Sequence, residues 1–233
     1  MRVLGIEALR RAVERARQLG ALIVGDECYA EFGWDAPWDR ERVPSILDPR
    51  VVGQDHRGVL AAYSLSKQSN LAGYRAAFVA GDPSVIERLL TVRKHAGLMQ
   101  PAPVQHAMIA VLGDEEHVER QREVYRARRA ILRPALESAG YRIEGSEAGL
   151  YLWVRPAGPA SVAGAADGDQ GAERGAILRD STDPWQSIAA LAELGIVAGP
   201  GHFYGDRFHG YVRLALTATD EVIAEAASRL SGA

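Results

Sequence analysis

Residues 64–75 read Ser64-Leu65-Ser66-Lys67-Gln68-Ser69-Asn70-Leu71-Ala72-Gly73-Tyr74-Arg75. They follow Gly58-Val59-Leu60-Ala61-Ala62-Tyr63, a short continuous apolar run of the kind that forms a buried strand. A lysine just past a strand end, flanked by hydroxyls and followed by an arginine, suits two linked tasks. Its amine can condense with a carbonyl once burial or a cationic neighbour lowers the ammonium pKa. Ser64, Ser66 and Arg75 can hold a phosphate, because the planar guanidinium fork matches phosphate oxygens. A lone lysine in a polar loop is ordinarily just solvated, so the distinction rests on the rest of the chain.

Upstream, Ala21-Leu22-Ile23-Val24-Gly25 has the pattern of a strand buried on both faces, and it ends on Asp26-Glu27-Cys28-Tyr29. Open α/β sheets bind ligands at the C-terminal ends of their strands, where Asp26 would lie. Taken alone, an aspartate there is more often a turn or helix-cap residue. Late in the chain, Tyr211-Val212-Arg213-Leu214-Ala215-Leu216 alternates like a half-buried strand. Its arginine can take a carboxylate through two parallel hydrogen bonds, or simply lie on the strand's surface.

In this order, the three elements resemble the class I/II aminotransferases among the fold-type I pyridoxal-phosphate enzymes, with the nearest likeness to succinyldiaminopimelate aminotransferases. Supporting runs are Arg93-Lys94-His95-Ala96-Gly97-Leu98-Met99, Pro101-Ala102-Pro103-Val104-Gln105, Pro200-Gly201-His202-Phe203-Tyr204-Gly205 and Arg213-Leu214-Ala215-Leu216-Thr217-Ala218-Thr219. The resemblance implies an α/β fold made of part of a large cofactor-binding domain, residues 1–115, and a C-terminal α+β small domain, residues 116–233. It implies pyridoxal 5'-phosphate as cofactor and Lys67 as the catalytic lysine that holds it. Asp26 would face the pyridine nitrogen, Tyr29 the phenolic oxygen, and Ser64, Ser66 and Arg75 the phosphate. Arg213 would orient the substrate carboxylate. The implied substrates are a small amino acid and a keto acid, glutamate and N-succinyl-2-amino-6-ketopimelate of lysine biosynthesis, turned over by a cytoplasmic homodimer.

The same comparison exposes a departure. Such enzymes carry a glycine-rich phosphate turn, a ring-stacking aromatic and an asparagine ahead of the segment matched here. This chain instead enters a helix directly after Met1-Arg2-Val3-Leu4-Gly5. Two other readings therefore stand beside transamination. One is a catalytically incompetent remnant or one half of a split enzyme. The other is a lyase or decarboxylase, since a shared fold does not fix chemistry.

Composition excludes several classes. The 233 residues are 47% hydrophobic and 24% charged with a net charge of −3, so no basic footprint for nucleic acid is expected. No apolar stretch approaches the ~20 residues of a membrane span. The histidines His56, His95, His106, His117, His202 and His209 lack metal-ligand spacing, and the single cysteine, Cys28, cannot form an internal disulfide. Cys28 reads as a small buried hydrophobe.

Periodicity predicts helices over 4–19, 84–95, 103–112 and 115–139, and strands over 21–25, 58–63, 76–80, 141–145 and 150–154. Ile6, Leu9, Val13, Ala16 and Leu19 share one face of the first helix. Residues 34–54 form a long connection whose Trp34 and Trp38 are expected to pack beneath it. A surface loop is expected near 156–182, rich in Ala, Gly, Asp and Pro. Asp183-Pro184 then reads as a helix start with Ile188, Leu191 and Leu194 inward. A strand over 196–199, the Arg213 strand and a helix from about 220 complete the chain.

Overall fold

The computed structural model describes residues 2–157 and 185–232. The chain forms two compact units, Val3–Arg122 and a second that joins Met1–Arg2 to Glu123–Ala233.

The first unit opens with α1 (Ile6–Gln18), which Gly20 stops by adopting φ +63°. Val13 is buried, and Ile6 and Leu9 pack against the same cluster. Leu19, the C-cap, is exposed, so the apolar face expected of the helix stops short of its end. β1 (Ile23–Asp26) runs parallel to β2 (Val59–Ser64), and β2 pairs antiparallel with β3 (Ala77–Gly81), in the order β1-β2-β3. The connection over 34–54 does more than cross the surface. It supplies Ile46 and, from the short helix α2 (Pro49–Val52), Val51 and Val52 to the cluster that also holds Val13, Val59 and Ala61. Trp34 is buried, as its expected packing role requires.

One expectation is corrected here. β1 is not buried on both faces: Ile23 faces the core, while Val24 points the other way and stays 54% exposed. Phe78 and Val79 of β3 are exposed as well. Alternation along a strand sends neighbours to opposite faces, and the cluster built on α1 and α2 covers only one of them. The helices after β3, α4 (Pro83–His95) and α5 (Ala102–Leu112), contain no buried residue although α5 is strongly apolar.

The junction of β3 and α4 is tightly tied. Asp82 accepts from Ser84 N and Ser84 Oγ, both at 2.8 Å, and so caps α4 ahead of Pro83. Its other oxygen accepts from Gly58 N at 2.8 Å, at the start of β2. These donors hold the carboxyl below its ordinary pKa, the Gly58 amide contributing most. Gly81 precedes it at φ +132°, where a Cβ would lie 2.1 Å from the Val59 carbonyl oxygen.

The boundary between units falls inside the helix α6 (Glu115–Ser138). In the second unit, Tyr125, Leu132, Ala135 and Leu136 of α6 are buried. The sheet has the order β4-β5-β7-β6, all antiparallel: β4 (Tyr141–Ile143), β5 (Tyr151–Pro156), β6 (Gly199–Pro200) and β7 (Val212–Ala215). The strand expected over 196–199 shrinks to the two residues of β6. α7 (Gln186–Glu193) buries Leu191 and is followed by Gly195 at φ +70°. α8 (Asp220–Ser231) is capped by Thr219. Arg128 of α6 donates to the Leu216 carbonyl at 3.1 Å and pairs with Asp220 at 2.5 Å, tying α6 to α8. The Asp183-Pro184 helix start and most of the expected loop lie outside the described residues.

Candidate active site

In the first unit, β1 and β2 are parallel with Asp26 in register with Ala62, so their C-terminal ends share one edge of the sheet. Asp26 is exposed there, and its Oδ1 accepts from Cys28 N at 3.2 Å, the turn that re-aims the chain after β1. Tyr29 follows, half-buried, with its carbonyl accepting from Phe32 N at 3.1 Å. Burial pushes the Cys28 thiol up to about 11, with Asp26 adding to the effect through a hydrogen bond and its charge. The Lys67 ammonium acts against that rise, which couples β1's end electrostatically to the lysine. Cys28 is therefore a thiol at neutral pH and a poor nucleophile.

β2 ends on Ser64, whose extended backbone opens the short helix α3 (Leu65–Gln68) and whose Oγ accepts from Ser66 N at 3.2 Å. The two hydroxyl oxygens lie 2.9 Å apart. Lys67 sits on α3, half-buried, and among the described residues its ammonium has neither a hydrogen-bond acceptor nor a carboxylate within ion-pair distance. Arg75 follows a turn over Ala72–Tyr74 and adopts the left-handed conformation at φ 52°. One of its nitrogens donates to the Ala72 carbonyl at 2.9 Å, while the side chain is otherwise exposed.

Sequence reasoning missed the group that holds α3 in place. Gln68 is only 6% exposed, and its side chain meets the Tyr63 hydroxyl. Tyr63 also lies 3.0 Å from Glu31 Oε1, which Arg42 approaches at 3.2 Å while reaching Glu115 at 2.6 Å. The Tyr63 hydroxyl is the donor, with Gln68 Oε1 and Glu31 Oε1 as the two acceptors around its one proton. Burial first, then Glu31, raises the Tyr63 phenol well above its ordinary pKa. The ring stacks on Phe78 of β3 at 5.4 Å. The only sequence signal was a polar residue directly after the lysine.

In the second unit, Arg213 lies on β7 between Trp153 of β5 and Gly199 of β6. Its guanidinium carbon is 4.3 Å from the centre of the Tyr151 ring and 5.3 Å from that of Tyr204. Among the described residues no carboxylate or carbonyl accepts from it. His202 packs at 5.0 Å against Trp185, and no cluster of histidine, cysteine or acidic groups suited to a metal occurs among the described residues.

The cofactor named by the sequence resemblance needs an amine for its aldehyde, donors for its phosphate and an acid near its ring nitrogen. The residues here are of the kinds it needs: an amine unpaired among the described residues, two adjacent hydroxyls, a strand-end carboxylate and, after the following turn, a guanidinium. Comparison with known proteins agrees. The family model for "Aminotransferase class I and II" matches residues 2–230. A 4-dedimethylamino-4-oxo-anhydrotetracycline transaminase from Streptomyces rimosus is 50% identical over 230 residues, covering 99% of this chain and 56% of the relative. A protein of Mycobacterium tuberculosis (strain ATCC 25618 / H37Rv), described as a probable aminotransferase, is 51% identical over 230 residues, covering 99% and 48% respectively. Among solved structures, a probable N-succinyldiaminopimelate aminotransferase from Thermus thermophilus superposes with a TM-score of 0.75 at 26% identity, covering 99% of this chain and 54% of that one. The chain thus spans about half the length of the relatives it matches. Within that span, family model and fold agree from one end to the other, and the chain belongs to the class I and II aminotransferases.

Proposed function

We propose that this chain carries the lysine-bearing and carboxylate-binding apparatus of a pyridoxal 5'-phosphate-dependent aminotransferase. The observation that supports this most is Lys67: a half-buried residue whose amine has no partner among the described residues, in the turn that carries the Ser64–Ser66 hydroxyl pair, and whose charge acts on Cys28 just past β1. Lys67, Ser64, Ser66, Arg75, Asp26 and Tyr29 would hold the cofactor. When bound, it supplies an aldehyde and an aromatic ring that accepts electron density from the substrate's α-carbon. Lys67 Nζ would take the proton from the substrate's α-carbon as general base and deliver it, as general acid, to the carbon that the cofactor's aldehyde contributes. Asp26 would keep a proton on the ring nitrogen, and Tyr29 would donate to the phenolic oxygen. Ser64, Ser66 and Arg75 would bind phosphate oxygens, and Arg213 would orient the substrate carboxylate.

Glutamate serves as amino donor in this proposal. N-succinyl-2-amino-6-ketopimelate is the proposed acceptor, supported by the sequence resemblance and by the name of the Thermus neighbour. A second acceptor, the ketone of a 4-oxo-anhydrotetracycline, is favoured by the 50% identity to the Streptomyces transaminase. We further propose that the chain assembles as a homodimer.

The test is the visible absorption of the purified chain with added pyridoxal phosphate, beside Lys67→Ala. A band present only with Lys67, and bleached by glutamate, supports the proposal. Recovery of the band with one acceptor and not the other assigns the substrate. Absence of a band in both proteins would sink catalysis by this chain alone and favour one half of a split enzyme.

A further inference from the structure

An arginine that must receive a substrate carboxylate poses a design problem. Held by a neighbouring carboxylate, it is rigid, but its donors are already engaged. Left in solvent, it is free to donate but spread over many rotamers. Arg213 has a third arrangement. Its guanidinium lies over the Tyr151 ring at 4.3 Å and near the Tyr204 ring at 5.3 Å, contacts to the π-faces that use none of its N–H donors.

The surroundings keep it that way. Tyr151 is on β5, next but one to Trp153, which faces Arg213 across the ladder. Tyr204 ends the turn over Gly201–Tyr204 and meets Trp153 edge-on at 5.4 Å. Trp153 in turn stacks on Tyr211 at 5.3 Å. The acidic side chain that this sheet brings to the aromatic group is Glu144, and it is already engaged. It accepts from the Tyr211 hydroxyl at 2.8 Å and from Arg155 Nε at 2.8 Å. Glu144 is thus tied to Arg155 and Tyr211, and among the described residues no carboxylate pairs with Arg213.

We infer that Tyr151 and Tyr204 are positioning residues: an aromatic cradle that aims the Arg213 fork while leaving its donors free for a carboxylate ligand. The inference rests on the proposed role of Arg213 and adds the residues that pre-organise it. Its chemistry is specific. The cradle needs ring faces and not hydroxyls, so phenylalanine can replace either tyrosine, whereas leucine keeps the bulk and loses the quadrupole.

The experiment follows the Arg213 Nε–Hε resonance of the labelled chain, assigned by its loss in Arg213→Gln, during a succinate titration. In the free protein the two ring faces should shift that proton away from the bulk of the arginine signals. Succinate should move it further, in a saturable way. Tyr151→Leu and Tyr204→Leu should each return the free-state shift toward the bulk position and weaken succinate about 5-fold, the size of one partly desolvated cation–π contact. Tyr151→Phe and Tyr204→Phe should retain both. Leucine variants with unaltered shift and affinity would overturn the cradle while leaving Arg213 as a receptor. A wild-type resonance with the expected free-state shift but no response to succinate would overturn the receptor role, and with it the inference. The readout involves no cofactor, so it stands apart from the absorption test.

Discussion

Tyr63→Phe isolates the hydroxyl that braces the lysine-bearing turn. The ring itself stacks on Phe78 at 5.4 Å, and phenylalanine keeps that contact, so little apolar burial changes. The lost hydroxyl serves two side chains unequally. Glu31 retains Arg42 at 3.2 Å and remains partly compensated. Gln68, 6% exposed, loses its side-chain partner and is left with a desolvated amide. A buried polar group without a partner costs about 1–3 kcal/mol, and the weakened Glu31 adds a fraction of an ordinary hydrogen bond. We expect a loss of about 2 kcal/mol, which at a typical urea slope of about 2 kcal/mol/M lowers the midpoint by about 1 M. The assay is urea unfolding followed by circular dichroism, with Gln68→Met in both backgrounds. Removing the amide should cost less in Tyr63→Phe than in the wild type, because the group left unsatisfied is gone. A Tyr63→Phe midpoint equal to or above that of the wild type would refute the hydroxyl as a brace.

Two further predictions concern protons. Cys28, with its thiol raised to about 11, should react slowly with iodoacetamide at pH 8 and accelerate only as the pH approaches that value. Asp26→Asn should shift the rate profile to lower pH, since the Asp26 hydrogen bond and charge both favour the thiol, and an unmoved profile would contradict the contact. Tyr63, Tyr141 and Tyr211 all bind their phenolic protons more tightly in the folded chain, burial being the first cause in each and Tyr141 reaching about 12. The unfolded groups release theirs near 10, so this stabilisation is complete below about pH 10 and is lost as the pH rises toward 12. Urea midpoints should fall across that window together with a rise in phenolate absorbance. Tyrosines that titrate near 10 with no loss of stability would contradict the burial.

Much of the candidate site was legible because its residues follow strand ends, where an apolar run gives way to a chemically distinctive group. Asp26 and Lys67 are of this kind. The residues that brace them were not legible, because their partners are distant in sequence. Glu31 meets Tyr63 across 32 positions and Tyr204 meets Arg213 from a separate turn. The fold was readable to within a residue or two at α1 and β2, where periodicity and Gly20 agree. It was misread at Val24, because a continuous apolar run does not say how many faces are covered. The core residues Ile46, Val51 and Val52 hid in a stretch rich in proline and charge, whose only helix is a single turn.

The Asp82 tie sits at one end of the β2–β3 pair and Lys67 follows the other. Leu60 pairs with Gly81 beside the Gly58–Asp82 bond, whereas Ser64 pairs with Ala77 where the chain leaves for α3. Strand alignment is thereby fixed at the anchored end. A slip of one residue would break the Asp82 bond to Gly58 and bring a side chain against the Val59 carbonyl, where only Gly81 fits. The excursion over residues 65–76 is relieved of that duty. It carries Ser66, Lys67 and Arg75 above a strand pair whose alignment is set at the opposite end.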